Sequence, residues 1–334
     1  GTLLGCSAGG LIGGGAEIEQ RAGLAMAAAV MPGVEITPFH VRDDELPDLD
    51  CPQQKWEEIV GVSGQKRPSF VLLPDPFSFR IDVLAQGLDF AYPQSVKLGG
   101  LASGASRVGM NALFLDNHVY RSGAVGVALS GDVQIDTIVA QGCRPVGWPL
   151  RVTRCDRNFL FELDGKPAVQ ALYEVLDAMP EEEQKLAQHS LMLGVVMDEF
   201  KESFAPGDFL IRNILGLEPN TGALLVGESL RPERTVQFHV RDADSSAEDL
   251  RLLLKQYCDQ HGDPVSGALL FSCLGRGRSL YGVSDHDSAC FRNYIGGKVP
   301  LTGFFCSGEI GPVAGTTFLH GYTSSFGLIR PKPE

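Results

Sequence analysis

Positive charge, long apolar runs and clustered cysteines are all scarce in this chain of 334 residues. Its 28 Lys and Arg stand against 41 Asp and Glu, a formal net charge of −13. No basic run is denser than Gly64-Gln-Lys-Arg-Pro68. Nucleic-acid binding is excluded on that ground, because phosphate backbones require a basic stripe. No apolar stretch reaches the length of a membrane-crossing helix, and the Ala-rich run 22–31 is about half of one. The eight cysteines stand at 6, 51, 143, 155, 258, 273, 290 and 306, with no Cys-x-x-Cys pair among them. That scatter fits reduced thiols rather than a disulfide framework. The Walker phosphate loop is absent, which removes one common enzyme signature. His286 and Cys290 have the spacing of a metal pair, but no second cluster completes it. No metal and no cofactor are therefore expected. The first residue is Gly1 rather than Met, which leaves a preceding segment open. The expected compartment is the cytoplasm, with the plastid stroma as the alternative if a transit segment precedes Gly1.

What the chain does contain is a repeat. Phe-His-Val-Arg-Asp occurs at 39–43 and again at 238–242. Further on, Lys97-Leu-Gly-Gly-Leu-Ala-Ser-Gly aligns with Val299-Pro-Leu-Thr-Gly-Phe-Phe-Cys-Ser-Gly, so that Gly99, Ser103 and Gly104 fall on Gly303, Ser307 and Gly308. Two copies of one supersecondary unit explain both matches, and residues 34–130 should superpose on 234–329. Function is then to be sought where the copies meet or differ.

The local patterns supply the elements. Apolar runs predict strands at 34–41, 69–73, 96–102, 112–116 and 123–129, with helices at 56–60 and 79–90. A helix is also expected over 17–31, after the glycine-rich turn and before Pro32-Gly33. Residues 131–185 add strands at 133–139, 150–153 and 159–163 and a helix from Pro167 to Ala178. Beyond them come strands at 191–197, 209–217, 223–229, 235–240, 268–273, 301–306 and 317–324, with helices at 247–260 and 288–294. The order predicts an α+β protein of two lobes, with pseudo-repeated mixed β-sheets covered by helices in αββα-like layers. The domain boundary is expected in the acidic segment at 179–188, dividing 1–185 from 186–334.

Several segments carry chemistry-bearing residues. Gly5-Cys-Ser-Ala-Gly-Gly-Leu-Ile-Gly-Gly-Gly invites a dinucleotide reading, but its glycines do not enter a helix at Gly-x-Gly-x-x-Gly spacing. Asp43 and Asp242, within the repeat, are expected to cap the following elements. Cys306, Ser307, Gly308 and Glu309 lie at a strand end beside glycines, where a nucleophile or a ligand contact would sit. Arg276 between two glycines, Arg144 in Gln141-Gly-Cys-Arg-Pro and Arg212 in an apolar strand could each aim a guanidinium at an anion. An internal carboxylate partner is the structural alternative at each arginine.

Gly5-Cys-Ser-Ala-Gly-Gly, Gln141-Gly-Cys-Arg-Pro-Val-Gly, Phe161-Glu-Leu-Asp-Gly-Lys-Pro-Ala, Gly207-Asp-Phe-Leu-Ile-Arg-Asn and Pro300-Leu-Thr-Gly-Phe-Phe-Cys-Ser-Gly-Glu-Ile-Gly-Pro together resemble the FIST family. The resemblance covers nearly the whole chain, as FIST N-terminal and C-terminal regions. It implies a sensory module of intracellular signal transduction that binds small ligands such as amino acids, with a signalling or recruiting protein as partner. It carries over no catalytic residues. The expected site is one polar cavity formed by Arg144, Arg212, Arg276, Cys306, Ser307, Gly308 and Glu309, for an anionic or amino-acid-like molecule. The alternatives are a protein-interaction module and a thiol-dependent enzyme built on Cys306.

Overall fold

Two six-stranded sheets face each other across an apolar interior, and each carries helices on its outer side. This computed structural model describes residues 1–332 apart from 202, 206 and 263. The chain opens with β1 (Leu4–Cys6), β2 (Gly10–Gly13), β3 (Ala16–Glu19) and β4 (Val34–Val41). It continues through α1 (Gln53–Val60), β5 (Ser69–Pro74), α2 (Ile81–Ala91) and β6 (Lys97–Gly100). Next come β7 (Leu113–Leu115), β8 (His118–Tyr120), β9 (Ala124–Gly131) and β10 (Gln134–Ala140).

An inserted segment follows, with β11 (Cys143–Asp156), β12 (Phe159–Leu163), β13 (Lys166–Pro167), α3 (Ala168–Asp177) and α4 (Glu181–Ser190). It is completed by β14 (Leu191–Val196), β15 (Phe209–Glu218), β16 (Ala223–Val226) and β17 (Thr235–Arg241). After α5 (Ala243–Gln260) come β18 (Gly267–Cys273), α6 (Arg278–Tyr281), α7 (His286–Tyr294) and β19 (Leu301–Cys306). The chain ends with β20 (Glu309–Val313), β21 (Thr316–His320) and β22 (Ser324–Arg330).

Two compact units result: residues 1–140 with 250–334, and residues 141–249. The boundary expected at 185/186 falls inside α4, within the second unit. An acidic, Pro-containing segment reads as a linker, yet Ala187 packs into that unit's apolar core.

In the first unit the sheets have the orders β4-β9-β5-β6-β20-β21 and β10-β22-β18-β19-β2-β3. Each contains one parallel pair, β5 with β6 and β18 with β19. Registers identify equivalent residues. Leu72 pairs with Gly99 and Gly126, and Leu270 pairs with Gly303 and Phe326. Extended to both edges, the first row reads Phe39, Gly126, Leu72, Gly99, Ile310, Leu319. The second reads Ile138, Phe326, Leu270, Gly303, Ile12, Glu17. Residues in one row share a face of the sheet. Here that face meets α1 and α2 in one copy, and α5 and α7 in the other. The αββα layering is thus formed by a true duplication.

The duplication does not join the two pentapeptides. Phe39 lies on β4, whereas Phe238 lies on β17, which pairs with β11 and β14 in the inserted unit. The equivalent of Phe39 is Ile138 on β10. The likeness of 39–43 to 238–242 is local to two strand ends: Asp43 accepts from the Arg80 N–H at the start of α2, 37 residues on, whereas Asp242 accepts from the Ser245 N–H at the start of α5, three residues on. Asp242 thus caps the helix that follows it, as expected, whereas Asp43 serves a helix beyond the next one.

Residues 17–31 do not form a helix. Gly14 and Gly15, at φ 59° and 80°, make a two-residue turn between β2 and β3, and the chain beyond Glu19 runs irregularly to Gly33. Residues 16–19 are taken up by the hairpin that pairs with β19, and the Ala-rich run beyond buries no apolar face that would hold a helix. The single strand expected over 317–324 is also two, β21 and β22, separated by a turn with Tyr322 at φ 66°.

In the inserted unit all pairings are antiparallel, in the order β11-β17-β14-β15-β16-β12-β13. Pairing of β11 with β12 closes the sheet on itself, and α3 and α4 contribute Val175 and Ala187 to its core. All eight cysteines stand as thiols, as their spacing implied.

Candidate functional site

The two copies in the first unit differ most in polarity at the C-terminal end of β18. The paired residues Ser272 and Ser324 occupy the register of Pro74 and Ala124. Both hydroxyls reach the carboxylate of Asp287, on the first turn of α7: Ser272 Oγ at 3.4 Å, and Ser324 Oγ in a shorter bond. Arg276, in the turn after β18, closes the network. Its Nε and Nη2 donate to Asp287 Oδ2 at 2.8 Å and Oδ1 at 3.2 Å. Nη2 also donates to Tyr281 Oη, and Nη1 to the carbonyl of Tyr322. Arg276 is 0% exposed and Asp287 1%. Burial by itself would raise the Asp287 pKa, but the Arg276 charge with the bonds from His286, Arg276 and Ser324 holds it well below the carboxylate range. Burial also opposes the charge on Arg276, and Asp287 more than offsets it. Each charge thus favours the ionised form of the other. His286 stacks on Tyr281 with ring centroids 3.5 Å apart and directs Nδ1 to Asp287.

Glu17 lies beside this network. Its row position is that of Leu319 in the other copy, and the remaining members of both rows carry no charge. The side chain is 6% exposed. Oε1 accepts from Ser288 N–H at 2.8 Å and Ser288 Oγ at 2.9 Å, while Oε2 is buried without a hydrogen-bond partner among the described residues. Burial raises the Glu17 pKa, the charge of Asp287 raises it further, the Ser288 donors pull it back, and Asp285 adds to the rise.

A cleft of about 290 Å³ opens here, lined by Glu17, Glu19, Gln20, Arg21, Arg278 and Ser284. The Arg278 N–H donates to Glu19 Oε1 at 2.9 Å, fixing one rim to the other. Two acidic residues and two arginines thus line a space at the small end of ligand pockets. Cavities of about 340 Å³ and 500 Å³ occur in the inserted unit. No described residue lining them has a buried side-chain polar atom lacking a partner.

The residues expected to converge divide as follows. Arg276, Cys306, Ser307, Gly308 and Glu309 belong to the first unit, and Arg144 and Arg212 to the inserted one. Each arginine is already engaged by a carboxylate: Arg144 by Asp242 and Glu183, Arg212 by Glu228, Arg276 by Asp287. The alternative weighed for each, an internal ion pair, is the arrangement observed. Glu309 is fully buried and accepts from Thr323 N–H and Oγ. Because Cys273 N–H bonds to the Thr323 carbonyl and Arg276 to that of Tyr322, Arg276 and Glu309 flank one short backbone segment. Ser307 and Gly308 form a crossed pair of backbone bonds with Leu101, a structural duty. Cys306 is buried, and burial, followed by the Glu309 charge, pushes its thiol well above the ordinary range. That is the reverse of an activated nucleophile.

Sequence reasoning missed Glu17, Glu19 and Arg278. The signal was present in the Gly14-Gly15 pair followed by Ala16-Glu17-Ile18-Glu19, a hairpin turn and an alternating strand.

Family models cover most of the chain, and their boundary near residue 167 falls inside the inserted unit rather than between the two units. The FIST N domain model matches residues 1–166 and the FIST C domain model residues 168–312. The Mycobacterium tuberculosis protein named "Uncharacterized protein Rv0628c" is 40% identical over 331 residues, covering 98% of this chain and 83% of that protein. "Uncharacterized protein Mb0898c" of Mycobacterium bovis is 42% identical over 263 residues, 79% of this chain and 68% of that protein. No described helix is long and apolar enough to cross a membrane. The chain belongs to the FIST family, whose members are signal-transduction domains generally thought to bind small ligands.

Proposed function

We propose that the first unit is the ligand-sensing part of the protein, and that the Glu17–Arg278 cleft holds a small zwitterionic molecule of the amino-acid class. One observation carries the reading: a buried carboxylate, one oxygen of which has no partner among the described residues, lines a cleft that two arginines also line. A ligand ammonium would answer Glu17 and Glu19, and a ligand carboxylate would answer Arg278 and Arg21. Charge-assisted bonds of this kind are the strong ones. The Arg276–Asp287 network beneath fixes α7, and with it the Ser288 clamp on Glu17. Output then passes to a protein partner that recognises the liganded state.

The test is a thermal-shift screen of the L-amino acids, followed by calorimetry on any that stabilise. Arg278→Ala is expected to weaken binding at least tenfold while leaving the unliganded melting temperature nearly unchanged. Failure of every amino acid to bind, or full affinity in Arg278→Ala, would overturn the assignment.

A further inference from the structure

We infer that Glu17 is the group that selects a cationic amine, holding a proton while no ligand is bound and exchanging that proton for the ligand's ammonium. The inference rests on the cleft reading above and deepens it. Its first support is geometric. Ser288 supplies two donors to Oε1, which fixes the plane of the carboxyl, while Oε2 is enclosed with no donor to accept from among the described residues. An enclosed carboxylate oxygen without a donor is costly, and a proton or an ammonium relieves the cost.

The second support is the other copy. Leu319 fills the same register position against the same kind of helix layer, so the architecture does not call for an acid there. Ser288 accounts for one Glu17 oxygen as a contact to α7, and the second oxygen, left over at a position that suits leucine, marks a site.

The third is the charge around it. Asp285 accepts the Glu17 backbone N–H, Asp287 stands on the first turn of α7, and Glu19 follows on the same strand. Of the cations nearby, Arg276 is bound to Asp287, and Arg292 is bonded to the Gly15 carbonyl. Arg278 and Arg21 line the cleft, with the Arg278 backbone held by Glu19. His286 is turned to Asp287 and Tyr281. The Ser288 N–H favours the anion, and burial with Asp287 and Asp285 favours the neutral acid; the latter set prevails.

The exchange balances. A neutral Glu17 carboxyl and an incoming R–NH₃⁺ give Glu17–COO⁻ bound to R–NH₃⁺, and one proton leaves to solvent. Below the Glu17 midpoint in the unliganded protein, affinity should therefore rise about tenfold per pH unit, and it should level off above that midpoint.

Carboxyl NMR on protein labelled with ¹³C-glutamate tests this without knowledge of the natural ligand. The Glu17 resonance is assigned by its loss in Glu17→Gln, or in Glu17→Leu if the first variant does not fold. In the unliganded protein it should titrate above the ordinary glutamate range, and methylammonium chloride should lower that midpoint where sodium chloride of equal concentration does not. An ordinary or depressed midpoint, or equal effects of the two salts, would overturn the exchange. A methylammonium effect combined with a failed amino-acid screen would sustain the amine subsite and remove the amino-acid reading.

Discussion

Arg276 and Asp287 form a bidentate ion pair closed off from solvent, with Nε 2.8 Å from Oδ2 and Nη2 3.2 Å from Oδ1. The pair joins the end of β18 to the start of α7, so its integrity decides whether Ser288 is presented to Glu17.

Asp287→Ala should therefore be severely destabilising. It leaves a buried guanidinium without its carboxylate, for which about 3–5 kcal/mol is expected. The double variant Arg276→Met/Asp287→Leu should recover much of that loss, because no uncompensated charge remains. Chemical denaturation of the three proteins reads both effects, and a double variant as weak as Asp287→Ala contradicts the account. The pH dependence follows from the direction of the shift. A carboxylate with a depressed folded-state pKa contributes stability above its unfolded value, near 3.9, and loses it as pH falls below that value. Wild type should lose stability steeply in that acid window, and the double variant less so.

Gly99 and Gly303 test the duplication. A Cβ at Gly99 would stand 1.9 Å from the Leu72 carbonyl oxygen, and one at Gly303 would stand 1.8 Å from that of Leu270. The obstacle is neighbouring backbone in both cases, not a mobile side chain. Gly99→Ala and Gly303→Ala should each cost about 1–3 kcal/mol or more, comparable to overpacking a core. Thermal melts showing one glycine tolerant and the other not would mean that the two crossings are not equivalent.

Most strands were legible because their apolar runs are bounded by Gly, Pro or Asp, as at Val34–Val41 and Leu301–Cys306. The αββα layering and the Gly99–Gly303 match were legible for the same local reasons. The segment after Gly15 was not. Leu24, Met26 and Val30 are 84%, 78% and 93% exposed, so the Ala-rich run buries no helical face. Helical propensity alone does not hold a short helix without such packing. Reading a helix there hid the alternation that places Glu17 inward. The pentapeptide misled differently: equivalence of β4 with β10 is a matter of long-range register, which local identity does not report. The arginines were found as buried or partly buried groups, but the carboxylate that each would meet depends on contacts 11 to 98 residues away.

Thiol reactivity separates the cysteines. Burial raises Cys306 well above its ordinary pKa, and burial raises Cys290 to about 11. Both should resist iodoacetamide at neutral pH in the folded protein, since the thiolate is the reactive form. Mass mapping after brief alkylation should find them unlabelled, and all eight should label once the chain is denatured. Rapid labelling of Cys306 in the native state would revive the thiol-enzyme alternative.

The inserted unit carries its own acid sensitivity at His239. The ring is 1% exposed, Nδ1 donates to the Gln237 carbonyl at 3.0 Å, and Phe209 meets it edge-on at 5.0 Å. Burial lowers its pKa from 6.5 to about 4, only partly countered by that hydrogen bond. Between those values the unfolded chain binds the proton and the folded one does not. Stability from the neutral ring is thus fully present above pH 6.5 and is lost as pH falls towards about 4. The full effect is on the order of 3 kcal/mol. Amide exchange in β14 and β17, corrected for intrinsic rates, should lose protection through this window in wild type. His239→Met keeps an apolar filling of similar length and removes the titration. Its protection should be flat over the same range, and an unchanged slope in the variant would assign the acid sensitivity to another group.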